Sequence, residues 1–237
     1  MSTLDLAAVE AWARAHVPGF AGPVEAQKIS GGQSNPTFRL ITPGKAYVLR
    51  RKPSGVLLKS AHAVDREFRV QRALAGSAVP VARVHALCED EGMIGSAFYI
   101  MDLVEGVSFD QPSLPELDPE ARDRVMDEMN RVLAAIHKVD IEAAGLSDYG
   151  PPGHYCQRQT DRWTKQYRAT QTENLPDMEA LMLWLQDNMP EDDGQRRLVH
   201  GDYRLDNLLF APDGSTLRAV LDWELSTLGH PYADLAT

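Results

Sequence analysis

The chain has 237 residues, 43% hydrophobic and 24% charged, the proportions of a globular protein with a sizeable apolar core. Its formal net charge of −10 argues against broad electrostatic attraction to nucleic acid or to an anionic membrane. No basic run followed by an apolar stretch opens the chain, and no segment approaches the roughly 18 apolar residues of a membrane span, so a cytoplasmic location is expected. Cys88 and Cys156 lie far apart with no Cys/His cluster beside them, which speaks against a disulfide framework and against a zinc site.

Leu6, Val9, Trp12 and Ala13 fall at helical spacing and predict a helix over 4–16, ended by Pro18, Gly19, Gly22 and Pro23. Extended runs at 24–30, 37–42 and 46–52, separated by Gly31-Gly32 and Pro43-Gly44, predict an antiparallel meander. A helix over 61–75 carries Val64, Phe68 and Leu74, and strands follow at 81–87 and 97–104. Five strands and one helix make an N-terminal lobe of residues 1–104, and the Gly-, Ser-, Pro- and Asp-rich segment 105–119 reads as the connection to a second lobe over 105–237. There Val125, Met129, Val132, Leu133 and Ile136 share one face of a helix over 120–139, and Leu181, Leu185 and Met189 repeat the pattern over 177–189. Trp163 and Tyr167 stand one turn apart in a helix over 155–170 and are expected to pack in the core or between lobes rather than to stack on a base.

The run His200-Gly201-Asp202-Tyr203-Arg204-Leu205-Asp206-Asn207 has His, Asp and Asn at the spacing of a kinase catalytic loop, with Gly where Arg is usual. The plain alternative is a capped turn, since Asp and Asn favour turns. Strands at 208–210 and 217–223 around the turn 211–215 predict a hairpin that returns Asp222 to the neighbourhood of Asn207, a pair of oxygen ligands suited to magnesium. Phosphoryl transfer needs an aligned hydroxyl, neutralised phosphate oxygens and a held metal. In that scheme Asp202 orients the acceptor hydroxyl and takes its proton, while Asn207 and Asp222 hold Mg2+. Glu224 is either a further metal ligand or a surface carboxylate.

With Leu221-Asp222-Trp223-Glu224 added, the chain resembles the aminoglycoside phosphotransferase and choline kinase superfamily, whose signature is H-G-D-x-x-x-x-N followed by D-W/F-E. The resemblance covers nearly the whole chain. It implies an α+β, two-lobed, protein-kinase-like fold, with an ATP-binding five-stranded antiparallel sheet plus helix in the N-lobe and a mainly helical C-lobe. Gly31 and Gly32 correspond to the nucleotide-binding loop, where backbone N–H groups approach phosphates and Ser34 or Asn35 add donors. Arg50 stands where the ATP-anchoring Lys is usual, with Lys52 on the same strand face as the other possible anchor. Glu67 matches the helix Glu that pairs with that cation, an exposed salt bridge being the plain alternative; backbone groups of Asp102 and Val104 match the adenine-reading hinge. Asp234 matches an Asp that braces the catalytic loop, with His230 where a first Asp is usual.

The segments 31–37, 49–53 and 61–67 are most similar to the kinase domain fused to acyl-CoA dehydrogenase-like proteins, which implies a hydroxyacyl thioester or related metabolite as acceptor ahead of an aminoglycoside-like alcohol. Members of the superfamily continue with helices that line the acceptor pocket, so the chain is expected to be incomplete at its C-terminus. The expectation is an ATP- and Mg2+-dependent kinase of a small hydroxylated molecule. A protein kinase would carry Arg before the catalytic Asp, Phe-Gly after the metal Asp and an Ala-Pro-Glu segment, whereas Gly201 and Trp223-Glu224 stand here. A nucleotide-binding module without catalysis would be expected to lose Asp202, Asn207 or Asp222, and all are present.

Overall fold

The computed structural model describes residues 4–29, 35–53 and 63–236. Helix α1 (Leu6–His16) starts where the Asp5 carboxylate accepts the Ala8 N–H at 3.0 Å, an N-cap, and its Val9, Trp12 and Ala13 are buried. These residues cover one face of a sheet whose strands are β1 (Glu25–Lys28), β2 (Thr37–Ile41), β3 (Ala46–Arg51), β4 (Val84–Cys88) and β5 (Phe98–Asp102). The sheet is antiparallel with order β1-β2-β3-β5-β4. The expected meander holds for the first three strands, and β5 then enters between β3 and β4, leaving β4 at the edge.

Helix α2 (Val64–Leu74) packs on the other side through Val64, Glu67, Val70, Gln71 and Leu74. Its C-terminal Val70 and Leu74 belong to the same core cluster as Val125, Val132 and Ile136 of α3 (Pro119–His137), so the helix ties the sheet to the helical lobe. The connection before α3 lies on β7 (Leu208–Phe210), with Val107 and Phe210 exchanging backbone hydrogen bonds of 2.9 and 2.8 Å. Strand β7 pairs with β8 (Leu217–Val220), the expected hairpin. A second pair, β6 (Arg197–Val199) with β9 (Thr227–Gly229), was not expected, because three-residue strands carry no readable periodicity.

Helices α4 (Tyr155–Thr170) and α5 (Pro176–Asp187) form where expected, but the burial read from them does not hold. Trp163 is 52% exposed, with the Arg162 guanidinium 4.8 Å from its ring centroid, and Leu181 and Leu185 are also exposed, Met182 being the buried residue of α5. The apolar stripe is present in the sequence, but these positions of it stay exposed; periodicity reports which side chains share a face, not what packs on them. No helix of the described residues is long and apolar enough to cross a membrane.

Candidate active site

Strand β6 delivers His200, and the turn Pro231–Leu235 delivers a buried Asp234 beneath it. The Asp234 carboxylate accepts the N–H of His200 at 2.9 Å and of Gly201 at 2.7 Å, and lies 2.9 Å from His137 Nε2. His200 is fully buried, and its Nε2 lies 2.8 Å from the Leu221 carbonyl, so that nitrogen carries the proton and Nδ1 accepts the Asp202 N–H at 3.3 Å. Burial holds its pKa below the ordinary imidazole value, and the ring acts as a neutral strut between the loop and the hairpin. Gly201 sits at φ +83°, and a Cβ there would stand 2.8 Å from the Leu225 carbonyl oxygen. Both features explain why Gly replaces the Arg of protein kinases.

This scaffold brings Asp202 and Asn207 together. Asn207 Nδ2 donates to the Asp202 backbone oxygen at 2.9 Å and to its Oδ2 at 2.8 Å. Arg204 Nε lies 3.2 Å from Asp202 Oδ1, so the carboxylate is held on both oxygens while remaining accessible. The hairpin closes back as expected: the Leu221 N–H donates to the Asn207 carbonyl at 2.8 Å, and Asp222 follows at φ 57°, ψ 62°. A left-handed Asp costs about 1–3 kcal/mol at most and persists only where its surroundings enforce it. Here the next residue, Trp223, is fully buried with its indole N–H on the Val220 carbonyl at 3.1 Å.

On the sheet side, Arg50 of β3 reaches Glu67 of α2 through Nε at 2.9 Å and Asp222 through Nη2 at 2.6 Å. Glu67 is buried, so the exposed salt bridge is ruled out for it. Tyr99 donates its hydroxyl to Glu67 Oε2 at 3.1 Å, and Gln71 Nε2 donates to the Tyr99 hydroxyl at the same distance. Asn35 Nδ2 donates to Glu67 Oε1 at 2.7 Å and reaches Glu224 Oε2 at 3.4 Å. Carboxylate oxygens of Glu67, Asp222 and Glu224 all lie within 4.8 Å of one another. Burial and the neighbouring carboxylates push the Glu67 carboxyl up to about 7 despite Arg50. Burial by itself would lower the Arg50 pKa, but Glu67 and Asp222 outweigh it and keep the guanidinium firmly charged.

This is a donor set suited to a hard divalent cation: carboxylate oxygens of Glu67, Asp222 and Glu224 gathered together, and an Asn207 amide whose nitrogen is committed to Asp202, leaving its oxygen as the atom a metal would take. Among the remaining expected residues, Asp102 ends β5 with its N–H given to the Arg83 carbonyl at 2.9 Å and its carboxylate bonded to Lys45 at 2.6 Å and His85 at 2.5 Å. Lys52 follows β3, with its N–H on the Ala97 carbonyl, and Arg50 is the cation paired with Glu67. Gly31, Gly32 and Ser34 lie outside the described residues.

Tyr99, Gln71, Arg204 and His137 were not singled out by the sequence. Gln71 was readable, since it follows Glu67 by one turn on the apolar stripe of α2 that also carries Val64 and Leu74. Tyr99 was hidden inside an apolar strand.

Comparison with known proteins gives the same picture. The model of a family described as "Phosphotransferase enzyme family" matches residues 25–237. The mouse acyl-CoA dehydrogenase family member 10 is 50% identical over 215 residues, which is 91% of this chain and 20% of that protein. The rat acyl-CoA dehydrogenase family member 11 is 44% identical over 236 residues, 98% of this chain and 30% of that protein; the chain thus spans less than a third of these relatives. A Ralstonia eutropha protein assigned to the aminoglycoside phosphotransferases superposes with a TM-score of 0.87 at 54% identity, covering 98% of this chain and 68% of its own. Aminoglycoside phosphotransferase APH(4)-Ia, solved as a ternary complex with AMP-PNP and hygromycin B, shares the fold at a TM-score of 0.66 and 24% identity over 91% of this chain and 72% of its own. The five-stranded sheet, the helical lobe and the Asp202–Asn207 hairpin site are thus parts of an α+β kinase-like fold, and the chain belongs to the phosphotransferase enzyme family.

Proposed function

We propose that the chain transfers the γ-phosphoryl group of ATP to a hydroxyl of a small molecule. The observation that carries this reading is Asn207 bonded through Nδ2 to the Asp202 backbone oxygen at 2.9 Å and to its carboxylate Oδ2 at 2.8 Å, while its own carbonyl accepts from the residue before Asp222. A general base, an amide oxygen and an acidic ligand thereby share one edge. Asp202 orients the acceptor hydroxyl and takes its proton as the oxygen attacks. Asn207 and Asp222 hold magnesium, with Glu224 close enough to add a ligand. Bound there, the ion supplies charge neutralisation of the phosphate oxygens. Arg50, kept in place by Glu67, clamps those oxygens from the sheet side, and Gly31, Gly32 and Ser34, by their place in the sequence, add backbone and hydroxyl donors to them. The Asp102 carbonyl and Val104 meet the adenine edge. Residues 1–104 thus serve nucleotide binding and 105–237 catalysis.

For the acceptor, similarity to regions of acyl-CoA dehydrogenase family members 10 and 11 supports a hydroxyacyl thioester or a related metabolite. The nucleotide half of the reading is checked by calorimetry of ATP binding with and without magnesium. Magnesium is expected to tighten ATP binding at least about tenfold in the native chain, and that gain should vanish in Asn207→Ala and Asp222→Ala. A gain that persists in both variants would remove these residues from the metal site; a native chain that binds no nucleotide would remove the whole reading.

A further inference from the structure

Asn35 does something that direct phosphate contact does not describe. It is 1% exposed, and its amide N–H2 is committed to two carboxylates, Glu67 of α2 at 2.7 Å and Glu224 beyond β8 at 3.4 Å. Its backbone is pinned as well: Thr37 Oγ1 donates to its carbonyl at 3.0 Å, and the next carbonyl, Pro36, accepts the Arg51 N–H at 3.1 Å. Among the described residues its Oδ1 is buried without a hydrogen-bond partner, so the side chain accepts an unpaired acceptor in order to keep the two donations.

The chemistry of the cluster explains the residue type. Three carboxylates lie within 4.8 Å, and Arg50 is bonded to Glu67 and Asp222. A Lys in place of Asn35 would compete with Arg50 for Glu67, and an Asp would add a fourth negative charge. A Ser could not span both acids. An amide bridges them without changing the net charge, and it does so from the residue directly following Ser34.

We infer that Asn35 is a positioning residue: its amide clasps Glu67 to Glu224 and so fixes the carboxylate that in turn aims Arg50 at the nucleotide. This rests on the nucleotide-binding reading above, and it makes Asn35 act through Glu67 rather than as a phosphate donor of its own.

A double-mutant cycle on the affinity for MgATP, measured by calorimetry on the full chain, separates the two. Asn35→Ala is expected to weaken binding by about 10- to 100-fold in the native background, as for loss of a hydrogen bond to a charged group, and by less than about 3-fold in Glu67→Gln. An equal loss in both backgrounds would overturn the inference, since a direct phosphate donor needs no Glu67. Asn35→Asp keeps the shape but adds charge; it is expected to bind MgATP more weakly than Asn35→Ala, whereas a merely space-filling residue would show the opposite order. If Asn35→Ala does not fold, Asn35→Ser enters the same cycle with the same expected pattern. Failure of the native chain to bind MgATP would count against the function itself, whereas binding with an additive cycle would count against the clasp alone.

Discussion

Arg50 is bonded to Glu67 at 2.9 Å and Asp222 at 2.6 Å, so one side chain spans the helix of the first lobe and the residue that follows the hairpin of the second. A planar fork can do this; an ammonium on a flexible stem holds one partner well. Arg50→Lys is therefore expected to keep the fold but raise the KM for ATP about tenfold, and steady-state kinetics with varied ATP would show it. Arg50→Met leaves Glu67 buried without its cation, and the residue then takes up a proton; chemical denaturation should give a loss of about 3–5 kcal/mol near neutral pH, smaller in acid. His200 makes a separate pH prediction. Its folded pKa is depressed by burial, so the unfolded chain binds the proton more readily and stability falls as pH drops through the unfolded value of about 6.5. Glu67, raised from 4.5 to about 7, has the opposite sign, losing stability as pH climbs through that range. Only a difference isolates the imidazole: the stability of the native chain minus that of His200→Asn should grow as pH rises toward the unfolded value of about 6.5 and level off above it, and a flat difference would contradict the assignment.

At the scale of elements, the loop that starts at His200 is hung from Asp234, which accepts two backbone N–H groups at 2.9 and 2.7 Å. Asp234→Ala leaves both donors buried and unpaired, and a stability loss of about 2–4 kcal/mol by urea denaturation is expected. Much of this region was legible. The spacing of Asp202 and Asn207 and the hairpin returning Asp222 could be read because they depend on local turn chemistry over a few residues. The bracing residue matched a motif, but the strands Arg197–Val199 and Thr227–Gly229 that bring it near could not be read, since their pairing is set by tertiary contact. Sequence misses the burial of α4 and α5 for a related reason: Trp163 at 52% and Leu181 at 47% exposure sit on helices whose sequence specifies a stripe but not its cover. Asn35 shows the limit most clearly, because one of its partners, Glu224, is 189 positions away.

Across the whole molecule, α2 joins the lobes, since Val70 and Leu74 lie in the core of the helical lobe while Glu67 faces the sheet and Arg50. A shared core implies a shared transition. Leu74→Ala is expected to cost about 2–5 kcal/mol and to lower a single thermal midpoint seen alike by far-ultraviolet circular dichroism and by tryptophan fluorescence; two separated transitions would contradict the shared core. The same coupling matters for chemistry, because Arg50 and Asp222 meet only when the lobes are held in register. Transfer of label from γ-32P ATP tests the central claim most directly, with hydroxyacyl thioesters, choline-like alcohols and aminoglycosides as acceptors and the native chain compared with Asp202→Ala. Label appearing on one acceptor class, and falling by about 10²–10⁴-fold in Asp202→Ala while MgATP affinity is kept, is the expected result. Undiminished transfer in Asp202→Ala, or MgATP binding with no label on any acceptor, would contradict the account.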